Sequence, residues 1–207
     1  MKARDFIAPL LIALILFVFY GNLEPSLSMA NKIAALTGIA LFSLSFIAGP
    51  IAYFWPKLFE GMKQYRKPWG QMGLALILIH AAISLNGYYS RGLEKFLAMD
   101  SVKLMGVILA TMSLLVFVLI TWTSSDYWIK KLGFEKWKKL QMLGYVALLL
   151  GVMHFFLMEI KTGNLFSVRP LGQVIFYFSI LVLAVKLVSM LYSEYYKPLK
   201  QKPKVKG

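Results

Sequence analysis

Six apolar runs, at 6–20, 33–54, 70–88, 102–122, 140–158 and 171–191, constrain this chain more than any other feature it carries. A helix that crosses the hydrocarbon layer of a bilayer needs roughly 20 apolar residues, and every run except the first is about that long. None alternates apolar and polar residues as a barrel strand does, and inside lipid each backbone amide must find its partner within the spanning element. The runs therefore predict an all-α integral membrane bundle of six transmembrane helices, one domain over 1–196, followed by a basic tail over 197–207 lying on the membrane surface. Composition agrees, with 59% apolar and only 15% charged residues and a mean hydropathy of +0.66, far from the averages of soluble domains. Lys2 and Arg4 ahead of the short first run also suit a signal peptide, but 21–25 offers no small-residue cleavage pattern, so a helix is expected there.

The cations orient the bundle. With the N-terminus in the cytoplasm, sixteen of the 23 Lys and Arg residues fall on the cytoplasmic side, six on the other, and Lys186 inside the last run. Positive-inside bias then places both termini in the cytoplasm. Trp55, Trp69, Trp122, Trp128 and Trp137 all map to cytoplasmic helix ends or loops, while Tyr20, Tyr88 and Tyr89 map to outer ends, as interfacial aromatics do. Because the charges occupy short connections between apolar runs, they read as topology signals in contact with lipid, and nucleic acid is excluded as a partner. Zero cysteines exclude disulfides, thiolate-held zinc or iron–sulfur clusters, and covalent haem attachment. Pro50 is expected to kink the second helix near its cytoplasmic third.

Both histidines of the chain, His80 and His154, lie within apolar runs, the third and the fifth. Both runs point outward, His80 about 15 Å beyond Gly70 and His154 about 21 Å beyond Leu140 at the helical rise, so the two imidazoles share a level toward the outer side. Gly73 and Gly87 lie within about 20° of His80 on a helical wheel, with Ser84 one turn on, and Ala147 and Gly151 flank His154. Such small residues either let helices pack closely or leave a slot for a flat macrocycle ligated from both faces. A zinc or non-haem iron site needs three or four ligands, and no Cys, Asp or inward Glu supplies them at this depth. A proton relay lacks its carboxylate. The alternatives that stand are hydrogen-bonded packing histidines and a single bis-histidine b-type haem, of which the haem leads. Its propionates would point outward, where Arg91, Lys95 and Arg169 are the available cations.

In the order and spacing of several pieces the chain resembles the ferric reductase-like transmembrane domain family. They are Leu36-Thr37-Gly38, Gly49-Pro50, Arg66-Lys67-x-Trp69-Gly70, His80, Thr123-Ser124, Leu132-Gly133-x-x-x-Trp137-x-x-Leu140, Tyr145 and His154. The resemblance is closest to its short bacterial branch, the haem-binding membrane subunit of the periplasmic methionine sulfoxide reductase system. It implies a six-helix b-haem protein of the bacterial inner membrane that passes electrons across it to a periplasmic or extracellular redox protein. Sixteen residues follow Leu191, so quinol or a separate cytoplasmic flavin reductase is the expected donor. In that branch a second, inner haem site draws on a histidine where this chain has Gln141, so one haem is expected here. Electron entry is then expected beside Arg66 and Trp69, whose charge and flat ring suit a quinone head group or FMN. The competing function is a non-redox transport or assembly protein with packing histidines.

Overall fold

The computed structural model describes residues 2–20, 26–89, 94, 98–159 and 170–196, and among these there are helices and turns but no strands. A short 3-10 turn, Ala3–Phe6, leads into α1 (Ile7–Tyr20), followed by α2 (Leu27–Phe54), the single turn α3 (Pro56–Phe59) and a 3-10 segment, Glu60–Tyr65. Then come α4 (Arg66–Tyr89), α5 (Ser101–Trp122), the short α6 (Asp126–Leu132), α7 (Phe134–Glu159), α8 (Pro170–Leu191) and a π turn, Tyr192–Tyr196. Five of these helices are long and apolar enough to cross a membrane. The first, α1, has 14 residues, about 21 Å of rise against roughly 30 Å of hydrocarbon.

Every long helix after α1 reaches past its apolar run, and at α2 and α5 a side-chain cap rather than hydropathy sets the start. Ser26 accepts the amide of Met29 at 3.2 Å and so starts α2 six residues before its run. Asp100 accepts the amides of Val102 and Lys103, both at 3.0 Å, at the head of α5. Gly133, at φ +76°, makes the turn between α6 and α7 that a side chain would resist.

The most buried helix is α2, and the others are arranged around it. It packs along α4, α8, α1 and α7, while α5 and α7 form a second close pair. The approach of α2 to α4 is closest at Gly38 and Gly73, where a Cβ on Gly73 would stand 3.1 Å from the Gly38 carbonyl oxygen. Phe42, Phe46 and Phe117 stack at the centre, Phe42 on Phe117 with ring centroids 3.8 Å apart. In lipid there is little hydrophobic drive between helices, so hydroxyls add specific links: Ser43 with Ser179 at 2.9 Å joins α2 to α8, and Ser113 donates to the Ala147 carbonyl at 2.7 Å, joining α5 to α7. The long helices expose large apolar side chains, among them Leu10, Leu14, Leu85, Leu115 and Val174, as a protein solvated by acyl chains requires.

Pro50 has no N–H, which leaves the Phe46 carbonyl one turn back without its helical donor. The Tyr145 hydroxyl donates to that carbonyl at 2.9 Å, and Arg66 Nε donates to the neighbouring Ser45 carbonyl at 3.2 Å. Ser45 in turn donates through Oγ to the Arg66 carbonyl at 2.7 Å. The break in α2 is thus completed by groups from α4 and α7.

Candidate functional site

His80 on α4 and His154 on α7 face each other across helices that otherwise hardly touch, with ring centroids 6.5 Å apart and planes at 59°. The shared level expected from the sequence is present. Each ring is held by its Nδ1. That of His154 lies 2.8 Å from the Gly106 carbonyl oxygen on α5, an atom that only accepts, so Nδ1 carries the hydrogen. That of His80 lies 2.8 Å from Oδ1 of Asn31 on α2, and Asn31 is oriented by donating through Nδ2 to Ser84 Oγ at 3.1 Å. In both rings this fixes the tautomer and leaves Nε2 with its lone pair free.

The α5–α7 approach that positions His154 depends on Gly106, where an added Cβ would stand 3.2 Å from Met158 Sδ and 3.5 Å from Leu157 Cβ. Lys103 secures the same end by donating to the Leu157 and Met158 carbonyls at 2.9 and 2.6 Å, a cation placed on a helix C-terminus. Of the two uses open to the small residues, close packing is the one seen at most of them. Gly73 meets α2, Gly151 sits between Ile39 and Ser113, Ala147 is fully buried, and only Gly87 faces open space.

Two imidazoles come together here, and among the described residues no group of three or more His, Cys, Asp or Glu gathers to hold an ion. That suits a metal that brings the rest of its ligands with it. With metal–nitrogen bonds of about 2 Å and ring centres roughly 1 Å behind the nitrogens, two imidazoles on opposite faces of one metal stand about 6 Å apart, close to the separation found. The donor set and spacing fit a bis-histidine haem.

Gln141, at the place of the expected inner ligand, is committed elsewhere. Its Nε2 donates to the Ile120 carbonyl at 2.9 Å and to Thr123 Oγ1 at 3.3 Å, and Trp137 Nε1 donates to the Thr123 carbonyl at 2.9 Å. Both side chains close the C-terminus of α5, satisfying carbonyls that a helix end leaves bare. We expect Gln141→Ala to lower stability by about 1 kcal/mol while leaving the haem-to-protein ratio of the purified chain unchanged. A fall in that ratio would make Gln141 part of a cofactor site.

The two residues expected at electron entry, both on the first turn of α4, differ in their surroundings. Arg66 lies across α2 over Gly49, anchored to Ser45. Trp69 does not offer a free face: it is 8% exposed, stacked on Tyr65 with centroids 5.0 Å apart, and its indole N–H has no hydrogen-bond partner among the described residues. The turn Glu60–Tyr65 folds back over the start of α4, which buries a ring that a run beginning at residue 70 puts at the surface. Arg91, Lys95, Arg169 and the tail over 197–207 lie outside the described residues. Asn31 is the site residue that the sequence reading missed, because it precedes the run taken as the second span.

Residues 34–152 match the family described as ferric reductase like transmembrane component. No curated protein matches the chain.

Proposed function

We propose, from the premise that this multi-pass membrane chain belongs to the ferric reductase-like transmembrane component family, that it is a b-type haem electron-transfer subunit of six spans with cytoplasmic termini. The observation that carries this reading is the pair of imidazoles at 6.5 Å, each with Nδ1 tied to an acceptor and Nε2 left to ligate. A haem held by His80 and His154 would supply a one-electron iron couple. The chain's own part is to fix both rings, exclude water with the surrounding apolar helices and set the basicity of each ligand through its Nδ1 partner. We place the protein in a bacterial inner membrane, with quinol or a cytoplasmic flavin reductase as donor and a periplasmic or extracellular redox protein, as in methionine sulfoxide reduction, as acceptor. Arg66 stands at the basic face near the entry point, and Arg91 and Arg169 are proposed to meet the haem propionates. Trp69 can take part there only by its buried N–H, since its faces are covered.

The test is direct. Chain purified from haem-replete cells should be red and give about one haem per chain by pyridine haemochrome assay; a colourless, folded protein would favour the non-redox transport or assembly reading. Asn31→Leu removes the acceptor that strengthens His80 as a donor, so haem affinity should fall about 10–100-fold and the midpoint potential should rise. An unchanged potential would mean that Asn31 only packs.

A further inference from the structure

Three helices bring cations together at the basic end of the bundle, two of them against α2. From α4, the Arg66 guanidinium lies over Gly49, with Nη1 3.5 Å from where a Cβ would be, and only Nε is engaged, on Ser45. From α8, Lys186 extends its ammonium over the ring of Tyr145, 5.2 Å from the centroid, and that ring is fixed by its hydroxyl on Phe46. From α7, Lys138 stands two turns before Tyr145, its Nζ 5.9 Å from the Phe134 ring. Arg66 and Lys138 are both close enough to repel Lys186.

Among the described residues Lys63 pairs with Glu60, and no described carboxylate pairs with this group. Positive-inside bias accounts for Arg66 and Lys138 at helix starts. It does not account for a half-buried lysine five residues before the end of an apolar helix, turned onto an aromatic ring between two like charges. Gathering three cations at the edge of a low-dielectric layer is unfavourable unless an anion joins them. Both terminal nitrogens of Arg66 and the two ammonium groups are left without an acceptor among the described residues, and together they supply the charge-assisted donors that the oxygens of a tetrahedral oxyanion can accept from.

We propose that Arg66, Lys138 and Lys186 bind a phosphate group at the basic face, carried either by an anionic phospholipid or by a soluble phosphate. This goes beyond the haem reading and does not depend on it.

The experiment uses the full chain in nanodiscs, with thermal unfolding followed by tryptophan fluorescence. One arm compares phosphatidylcholine with a phosphatidylcholine and phosphatidylglycerol mixture; the other titrates inorganic phosphate against chloride of equal ionic strength in phosphatidylcholine alone. Wild type and the exposed-cation control Lys57→Gln should be stabilised by phosphatidylglycerol or by phosphate, and Lys186→Gln and Lys138→Gln should lose most of that shift. A response to phosphatidylglycerol alone assigns the lipid, and a response to phosphate assigns the soluble anion. Arg66 is left intact because it bonds the backbone beside the Pro50 break in α2; if Lys186→Gln does not fold, Lys186→Arg should keep the shift and Lys138→Gln carries the test. The proposal is overturned if neither probe stabilises wild type beyond chloride, or if both lysine variants respond as wild type does.

Discussion

His80→Ala and His154→Ala should each abolish the low-spin haem spectrum while leaving the helices inserted and the far-ultraviolet dichroism unchanged. Each substitution removes one of the only two imidazoles in the chain, and among the described residues no third ligand is gathered nearby to replace it. Neither ring is a keystone of packing: both are half-buried, on helices that scarcely meet. Each substitution leaves a space the size of an imidazole, so free imidazole added to the haem-loaded variant should restore the six-coordinate spectrum. Asn31 holds His80 through a side chain and Gly106 holds His154 through the backbone, so the His80 position should accept the added ligand in more orientations. Retention of the wild-type spectrum by either alanine variant would end the pairing hypothesis.

The second large effect is expected at Gly144→Ala. A Cβ there would stand 2.5 and 2.7 Å from two atoms of the Phe46 ring and 2.9 Å from Ile120. The ring cannot yield, since Phe46 is buried, lies 5.0 Å from the tilted Tyr145 ring and stacks in the Phe42 and Phe117 group. Overpacking of a filled core costs about 1–3 kcal/mol, and here any shift of Phe46 also disturbs the carbonyl that Tyr145 satisfies. Thermal unfolding should move down clearly, with Gly61→Ala, whose Cβ would meet nothing within 4 Å, showing no change. Equal stability of the two variants would show that α2 and α7 separate more easily than this contact implies.

The apolar runs and the two histidines announce the membrane helices and the candidate ligands, because hydropathy and residue type are local properties. What stayed hidden depends on how helices face one another. Asn31 sits beside Lys32, ahead of the run beginning at 33, and reads as loop until Ser26 is seen to cap α2 upstream of it. Gln141 reads as a lost ligand until the end of α5 is known to lie within its reach. The glycines near the histidines share a stripe on the helical wheel, yet Gly73 and Gly151 are used by different neighbours. Trp69 follows the rule for interfacial aromatics in position along the chain but not in exposure, because a short 3-10 segment folds over it.

The gap that Pro50 leaves in the hydrogen-bond ladder of α2 also bears on how the chain is made. A helix entering the bilayer alone must carry the bare Phe46 carbonyl into hydrocarbon, where an unmet polar group costs several kcal/mol. Its donor, Tyr145, is 99 residues further along, so α2 cannot reach its final state until α7 has been synthesised and delivered. A ribosome-bound intermediate ending before α7 should therefore keep α2 at the insertion machinery or close to water, and would present the cell's quality-control proteases with a recognisable unfinished product.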